Sequence, residues 1–182
     1  MKKLLLVTLV ASLCSSHAIS QEKVSKGTSR GKTALYAELG GPAILLSANA
    51  DTRFRKSHLG WGGRAGVGFV LVTRTIFDPV FTSSYSSEQT AITIPVQVNY
   101  LFGSSTSPHT FEAGAGITAM TKKIDPFNNI LKEHPTYWYG TMSLMYRRQP
   151  VNGGFAWRIG FTPMFSDSDI HPWAALGVGW NF

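Results

Sequence analysis

The sequence is poor in charge and almost without cysteine. Only 15% of its 182 residues are charged, 17 of them basic and 10 acidic, and its single cysteine is Cys14. A low charged fraction, together with 43% hydrophobic residues, excludes a disordered chain. The apolar residues are scattered in alternation rather than collected into runs of about 20, which excludes a multi-span helical membrane protein. The length fits one domain.

The N-terminus predicts a secretory signal peptide over residues 1–20. A cationic start, MKK, is followed by an apolar run that ends at Cys14, and small residues precede Gln21. Cleavage before Gln21 would remove the only cysteine, so the mature chain would have no disulfide, thiolate metal ligand or cysteine nucleophile. A lipoprotein cysteine at position 14 is the alternative, and the large Leu13 before it argues against that alternative.

The rest of the chain alternates between apolar and polar residues. Residues 21–32 are polar and aperiodic and predict a flexible tail. From residue 33 onward the period is two, and clusters of Gly, Pro, Ser, Asn and Asp interrupt it, which predicts β-strands. Most predicted strands are near the about nine to eleven residues that a tilted membrane strand needs. The eight predicted strands are Thr33–Leu39, Ala43–Phe54, Trp61–Val72, Thr90–Phe102, His109–Ala119, Tyr137–Arg148, Gly153–Phe165 and Trp173–Phe182.

Each clearly alternating strand has one bulky apolar face and one small or polar face. The seventh strand places Phe155, Trp157 and Ile159 on one side, and Arg158 and Gly160 on the other. In a soluble barrel the apolar face fills the interior and the polar face carries many exposed charges. Here the polar face is poor in lysine and rich in glycine, which suits the interior of a narrow barrel surrounded by lipid. Because alternation does not itself say which face is inside, a soluble lipocalin-like ligand-binding barrel is the alternative.

The C-terminal strand carries the most specific signal. Leu176, Val178, Trp180 and the last residue, Phe182, alternate and end on an aromatic ring. This pattern resembles the assembly signal of Gram-negative outer-membrane β-barrel proteins. With the signal peptide and the eight strands, it makes the mature chain resemble the small barrels of the OmpA transmembrane-domain and OmpX type. The resemblance implies an all-β, antiparallel up-and-down eight-stranded transmembrane β-barrel over residues 33–182, located in the outer membrane. Its implied partners are outer-membrane lipid, lipopolysaccharide and the barrel assembly machinery.

The connections and the aromatic residues agree with such a barrel. If the chain begins and ends in the periplasm, the periplasmic turns are short, and two outer loops, 73–89 and 120–136, are long. The first outer loop, Gly40 to Pro42, is tight. The second loop is partly apolar, which indicates that the third and fourth strands continue beyond the membrane. Aromatic residues near predicted strand ends are placed for interfacial girdles: Trp61, Tyr100, Trp138, Tyr146, Trp157, Trp173, Trp180 and Phe182.

Seven charged residues fall on the predicted interior face. Alternate residues of a strand point to the same face, and this parity places the following residues inward: Glu38, Asp51, Arg53, Arg64, Glu112, Arg147 and Arg158. Charges in a closed interior are costly unless they are paired. Glu112 and Arg147 lie near the same end of neighbouring strands, so they are candidate partners in an ion-pair network that plugs this end. A gated polar path lined by the same residues is the alternative, although eight strands enclose room only for their own side chains.

The sequence predicts no enzyme, no cofactor and no metal. His58, His109, His134 and His171 lie in turns, loops or at a strand edge. The segment 166–171 mixes Ser, Asp and His but lacks a motif of fixed spacing, so a lipid-modifying outer-membrane enzyme is only an alternative. No compact basic groove for nucleic acid accompanies the net charge of +7. The candidate contacts for lipopolysaccharide phosphates are Arg74, Lys122, Lys123 and Lys132. A structural or surface-interaction role is predicted, with its surface partner open.

Overall fold

The computed structural model describes residues 32–78, 83–127, 135–166 and 169–182. The predicted signal peptide, and the predicted tail up to residue 31, lie outside these residues. Within them, ten β-strands and one short 3-10 helix form. The strands are β1 Thr33–Gly40, β2 Leu46–Arg53, β3 Gly60–Asp78, β4 Ser83–Gly103, β5 His109–Ile124, β6 Thr136–Arg148, β7 Gly154–Phe161, β8 Met164–Ser166, β9 Asp169–His171 and β10 Ala174–Asn181. The 3-10 helix, Gly41–Ala43, lies between β1 and β2. None of the helices described is long and apolar enough to cross a membrane.

Eight of the strands close into an antiparallel barrel. Each strand from β1 to β6 pairs with the next, β7 also pairs with β10, and β10 returns to β1. At the closing seam, Leu35 lies opposite Trp180, and the backbone N–H of Phe182 donates to the carbonyl oxygen of Thr33 (2.8 Å). Closure leaves no free edge in the wall, so every backbone group there has a ladder partner within reach. The predicted all-β, up-and-down eight-stranded barrel is confirmed.

The barrel has two distinct ends. The terminal end carries the two termini of the barrel chain and the short turns 54–59, 104–108 and 149–153. The loop end, opposite to it, carries the 3-10 helix and a long β3–β4 hairpin. The β2–β3 ladder ends at the pair Leu46–Phe69, whereas the β3–β4 ladder continues to the pair Asp78–Ser83. The hairpin therefore extends beyond the wall, and most of the predicted second outer loop, 73–89, is strand instead.

Two other predicted boundaries are wrong for local reasons. The predicted second strand began at Ala43, but β2 begins at Leu46 because the chain first forms the 3-10 helix. The predicted seventh strand, Gly153–Phe165, is interrupted at Thr162 and Pro163, since proline has no N–H to donate to a ladder. Its distal part is β8, which forms a short hairpin with β9 at the loop end.

Burial alternates along the strands with a period of two. In β2 the inward side chains of Ser47, Asn49 and Asp51 are buried, while the outward ones are exposed. The outer wall carries large aliphatic side chains, among them Val67 and Ile92, that are half exposed or more. The barrel thus has an apolar outside and, over much of its length, a polar inside.

Candidate functional site

The seven charged residues predicted for the interior all lie inside the barrel. They are supplied by β1, β2, β3, β5, β6 and β7, and none is more than 3% exposed. They are Glu38, Asp51, Arg53, Arg64, Glu112, Arg147 and Arg158. Three carboxylates and four guanidinium groups therefore share one closed space, where each charge needs a partner of opposite sign.

The part of this network nearest the terminal end is built around Asp51. Arg147 Nη1 donates to Asp51 Oδ2 (2.6 Å), and Arg53 Nη2 donates to Asp51 Oδ1. Asn99 joins both groups, because its Nδ2 donates to Asp51 Oδ2 (3.1 Å) and its Oδ1 accepts from Arg53 Nη2 (2.7 Å). Asp51 is thus fixed by two guanidinium groups and one amide.

Two glutamates continue the network toward the loop end. Glu112 Oε2 accepts from Arg147 Nη1 (3.1 Å) and Arg158 Nη1 (3.2 Å), and Glu112 Oε1 lies 3.8 Å from Arg64 Nη1. Glu38 Oε2 lies 3.2 Å from Arg158 Nε and 3.5 Å from Arg64 Nη1. Glu112 therefore contacts three guanidinium groups from three strands and links the two halves of the network.

Neutral polar residues complete the network, and these were not predicted. The hydroxyl oxygen of Tyr36 accepts from Arg64 Nη1 (3.0 Å) and Arg158 Nη1 (2.8 Å). Gln97 accepts from Arg64 Nη2 through its Oε1, and its Nε2 donates to Thr141 Oγ1 (2.7 Å). These residues have the same inward parity as the charged ones. The alternation placed Gln97 on the polar face of the fourth strand, but the predicted network contained only charged residues.

The interior near the loop end is apolar. This apolar cluster consists of Ile44, Val70, Val72, Ala91, Met120, Ile124, Tyr139 and Met164, with Phe127 packed against it. The expected small or polar interior face is therefore wrong for this end. The connection between β1 and β2 covers this cluster.

That connection, the 3-10 helix Gly41–Ala43, folds into the barrel as a plug. All three of its residues are buried, and the carbonyl oxygen of Pro42 accepts from Thr118 Oγ1 (2.8 Å) and from the Tyr139 hydroxyl (2.7 Å). The plug ends in a γ-turn, in which the N–H of Leu45 donates to the carbonyl oxygen of Ala43 (3.1 Å) and Ile44 has φ 76°. A β-branched residue is strained in this conformation. The predicted tight first loop is thus a strained, inserted turn.

The terminal end is covered as well. His58, in the turn between β2 and β3, is fully buried. Arg53 Nη1 donates to the carbonyl oxygen of Gly60 (3.0 Å), and Gln149 Nε2 donates to Asn181 Oδ1 (3.1 Å). A cavity of about 10 Å³ beside Arg147 has room for roughly one water molecule. Covered ends and a filled interior together describe a packed barrel.

The candidate catalytic and metal-binding residues lie apart from one another. His109 Nδ1 shares a hydrogen bond with the Tyr146 hydroxyl at the terminal end, whereas His171 stacks on Phe127 at the loop end, with ring centroids 3.9 Å apart. His134, Asp167 and Ser168 lie outside the described residues, whereas Ser166 and Asp169 pair with each other in the β8–β9 hairpin. Within the described ranges, no three His, Cys, Asp or Glu side chains form a group suited to a metal ion.

Aromatic side chains of the outer wall cluster toward the terminal end. Trp61 packs edge-on against Tyr100 (5.2 Å between centroids), and Tyr146 contacts both Phe111 (5.7 Å) and Trp157 (5.4 Å). The C-terminal residues Leu176, Val178, Trp180 and Phe182 all point outward and are about half exposed. A belt of half-exposed rings around one level of an apolar wall is the arrangement found at a membrane interface.

Comparison with known proteins rests on the shape of the barrel. No family model and no curated protein sequence matches the chain. The crystal structure of the N-terminal β-barrel domain of Pseudomonas aeruginosa OprF matches it with a TM-score of 0.54 at 13% sequence identity, over 86% of this chain and 100% of that one. The fold is that of an OprF-like barrel. At this identity the likeness shows the β-barrel fold alone, and it assigns neither a location nor an activity.

Proposed function

We propose that the mature protein is an integral outer-membrane β-barrel with a closed, ion-paired interior and a structural or surface-interaction role without catalysis. The observation that carries this proposal is the distribution of polarity across the wall. Seven charged residues are buried inside, while large aliphatic and aromatic side chains cover the outside. Soluble monomers rarely expose contiguous apolar surface of more than a few hundred Å², so an apolar solvent suits this wall better than water.

The soluble ligand-binding alternative needs an apolar cavity inside the barrel. Half of this interior is instead occupied by ion pairs such as Arg147 with Asp51, and the other half is packed around the inserted Pro42. Among the residues that the structure describes, neither half shows a cavity of ordinary ligand size, which is roughly 300 Å³ or more. The packed interior therefore favours the membrane barrel.

Lipid and lipopolysaccharide are the proposed surroundings. The aromatic belt would mark the periplasmic interface, and the loop end would then face the cell exterior. Lys122 and Lys123 are exposed on β5 near the loop end, where the β5–β6 register shifts between Ala119 and Ile124. Exposed ammonium groups at that level suit the phosphates of lipopolysaccharide.

Cell fractionation with gel mobility tests the proposal directly. We expect the expressed protein in the outer-membrane fraction, with one band that migrates differently before and after boiling, because a closed barrel resists the detergent until it is heated. Recovery in the soluble periplasm would contradict the proposal, because the apolar outer wall would then face water.

The C-terminal residue tests the proposed contact with the assembly machinery. Phe182 is half exposed and points outward, so Phe182→Ala should leave the folded barrel almost as stable as before. We expect a severalfold lower yield in the outer membrane, but unchanged refolding of the purified chain in detergent micelles. Phe155→Ala is the matched control, because Phe155 is equally exposed on the neighbouring strand β7, opposite Trp180. Equal yields of the two variants in cells would argue against an assembly signal at Phe182.

A further inference from the structure

A hollow of about 660 Å³ lies in the outer wall at the loop end, between β1, β10 and β7. It lies beside the plug. The β1–β10 ladder ends at the pair Gly40–Ala175, and from there the chain turns into the barrel instead of continuing upward. The wall recedes at this seam, while the β3–β4 hairpin rises well above it.

The lining of this lateral hollow is apolar. Its sides are formed by Leu39, Leu45, Ile159, Phe161, Trp173 and Leu176. The backbone groups beside it are already used: Gly40 N–H donates to the carbonyl oxygen of Leu45 (2.8 Å), and Thr162 N–H donates to that of Trp173 (2.7 Å). The indole N–H of Trp173 donates to the carbonyl oxygen of Ile44 (3.1 Å). The hollow thus offers mainly hydrocarbon contact, and the three N–H groups named here already have partners.

Ile44 separates the hollow from the barrel interior. It lines the hollow on one side and belongs to the apolar cluster on the other. It is also the strained residue of the γ-turn, and Trp173 holds its carbonyl group in place. The floor of the hollow is therefore a fixed element rather than an incidental gap between side chains.

We propose that this lateral hollow is a binding site for one acyl chain of an outer-leaflet lipid, an inference that rests on the membrane location proposed above. The lining is continuous with the apolar outer wall, since Leu39, Ile159 and Leu176 belong to both. A peptide would leave its backbone groups unpaired there. The volume of the hollow lies within the roughly 300–1,000 Å³ that is usual for a small-molecule site.

Native mass spectrometry of the full mature chain, purified from membranes in mild detergent, tests this site. Ala174 is outward and lines the hollow, so Ala174→Phe fills it. Ala65→Phe is the matched control, because Ala65 is equally outward on β3, away from the hollow. We expect one retained lipid on the wild type and on the control, and roughly tenfold lower occupancy on Ala174→Phe. The delipidated protein should regain one lipid when titrated with the lipid A part of lipopolysaccharide, the lipid proposed above for the loop end.

The other outcomes are equally informative. Equal lipid retention by Ala174→Phe and the wild type would overturn the site, as would an adduct with the mass of a free fatty acid or of a second protein chain. Outer-membrane recovery and the heat-modifiable band, scored on the same variants, report separately on the membrane location. If Ala174→Phe does not fold, the smaller Ala174→Leu makes the same comparison.

Discussion

Replacing Glu112 by glutamine should lower the free energy of unfolding of the barrel by about 3–5 kcal/mol, the cost of breaking a buried ion pair by removing one partner. Glutamine keeps the shape of the side chain but removes its charge. The Glu112 carboxylate contacts the guanidinium groups of Arg147 and Arg158 and lies near that of Arg64, all of them buried. In the variant the four buried arginines would share only Glu38 and Asp51, so the interior would carry two uncompensated positive charges.

Urea unfolding in detergent micelles, followed by the loss of the unboiled gel band, measures this effect. Glu88→Gln is the matched control, because Glu88 is exposed on the β3–β4 hairpin beyond the wall. Its expected change is within about 0.5 kcal/mol. A Glu112→Gln barrel as stable as the control would mean that the interior charges are solvated, which would favour the gated polar path over the packed network.

The double variant Glu112→Gln with Arg147→Gln separates pairing from simple loss of a side chain. It removes one charge of each sign, so the excess positive charge of the interior returns to that of the wild type. We expect it to lose less stability than the sum of the two single variants, by about 0.5–3 kcal/mol, the usual coupling of contacting residues. Additive losses would show that the two groups do not act on each other.

The interior charges could be anticipated because the pleat of a strand repeats every two residues. Parity alone placed Asp51 and Arg53 on one face of β2 and Arg158 on the inner face of β7. Parity says nothing about contacts across the lumen. Arg158 meets Glu38 and Glu112, 120 and 46 residues away in the chain, only because eight strands close with one particular stagger. Those partners depend on the closed barrel and could not be read from any single strand.

The inserted turn at the loop end was missed for a different reason. A short connection of Gly40, Gly41 and Pro42 is typical of a tight hairpin loop, and nothing in a local pattern says whether such a loop points away from the barrel or into it. The inward direction depends on Thr118 and Tyr139, which lie 76 and 97 residues after Pro42 in the chain. Their hydroxyl groups donate hydrogen bonds to the Pro42 carbonyl oxygen. The two consecutive glycines were the available signal, because both take φ near +70°, where residues with a side chain are strained.

Substituting the second of those glycines should expel the plug. An added Cβ at Gly41 would lie 2.9 Å from the Glu38 carboxyl carbon and 3.2 Å from the Ala175 Cβ, and would overlap Glu38 Oε1. Glu38 is held by Arg64 and Arg158, so it has little freedom to move aside. We expect Gly41→Ala to lose about 3–5 kcal/mol of stability, from left-handed backbone strain of about 1–2 kcal/mol and from the disturbed contacts of the plug.

Gly60→Ala isolates the backbone part of that loss. Gly60 has φ +90°, and a Cβ there meets no atom within 4 Å, so the variant carries strain without a clash. The difference between the two unfolding free energies is then the contribution of the plug. Hydrogen exchange should show faster exchange around Tyr139 in Gly41→Ala alone, because water reaches the apolar cluster once the plug leaves.

In planar bilayers we expect no conductance steps from either variant, since the ion pairs around Glu112 still fill the terminal half. Steps from Gly41→Ala would mean that the plug, and not the ion-pair network, closes the barrel.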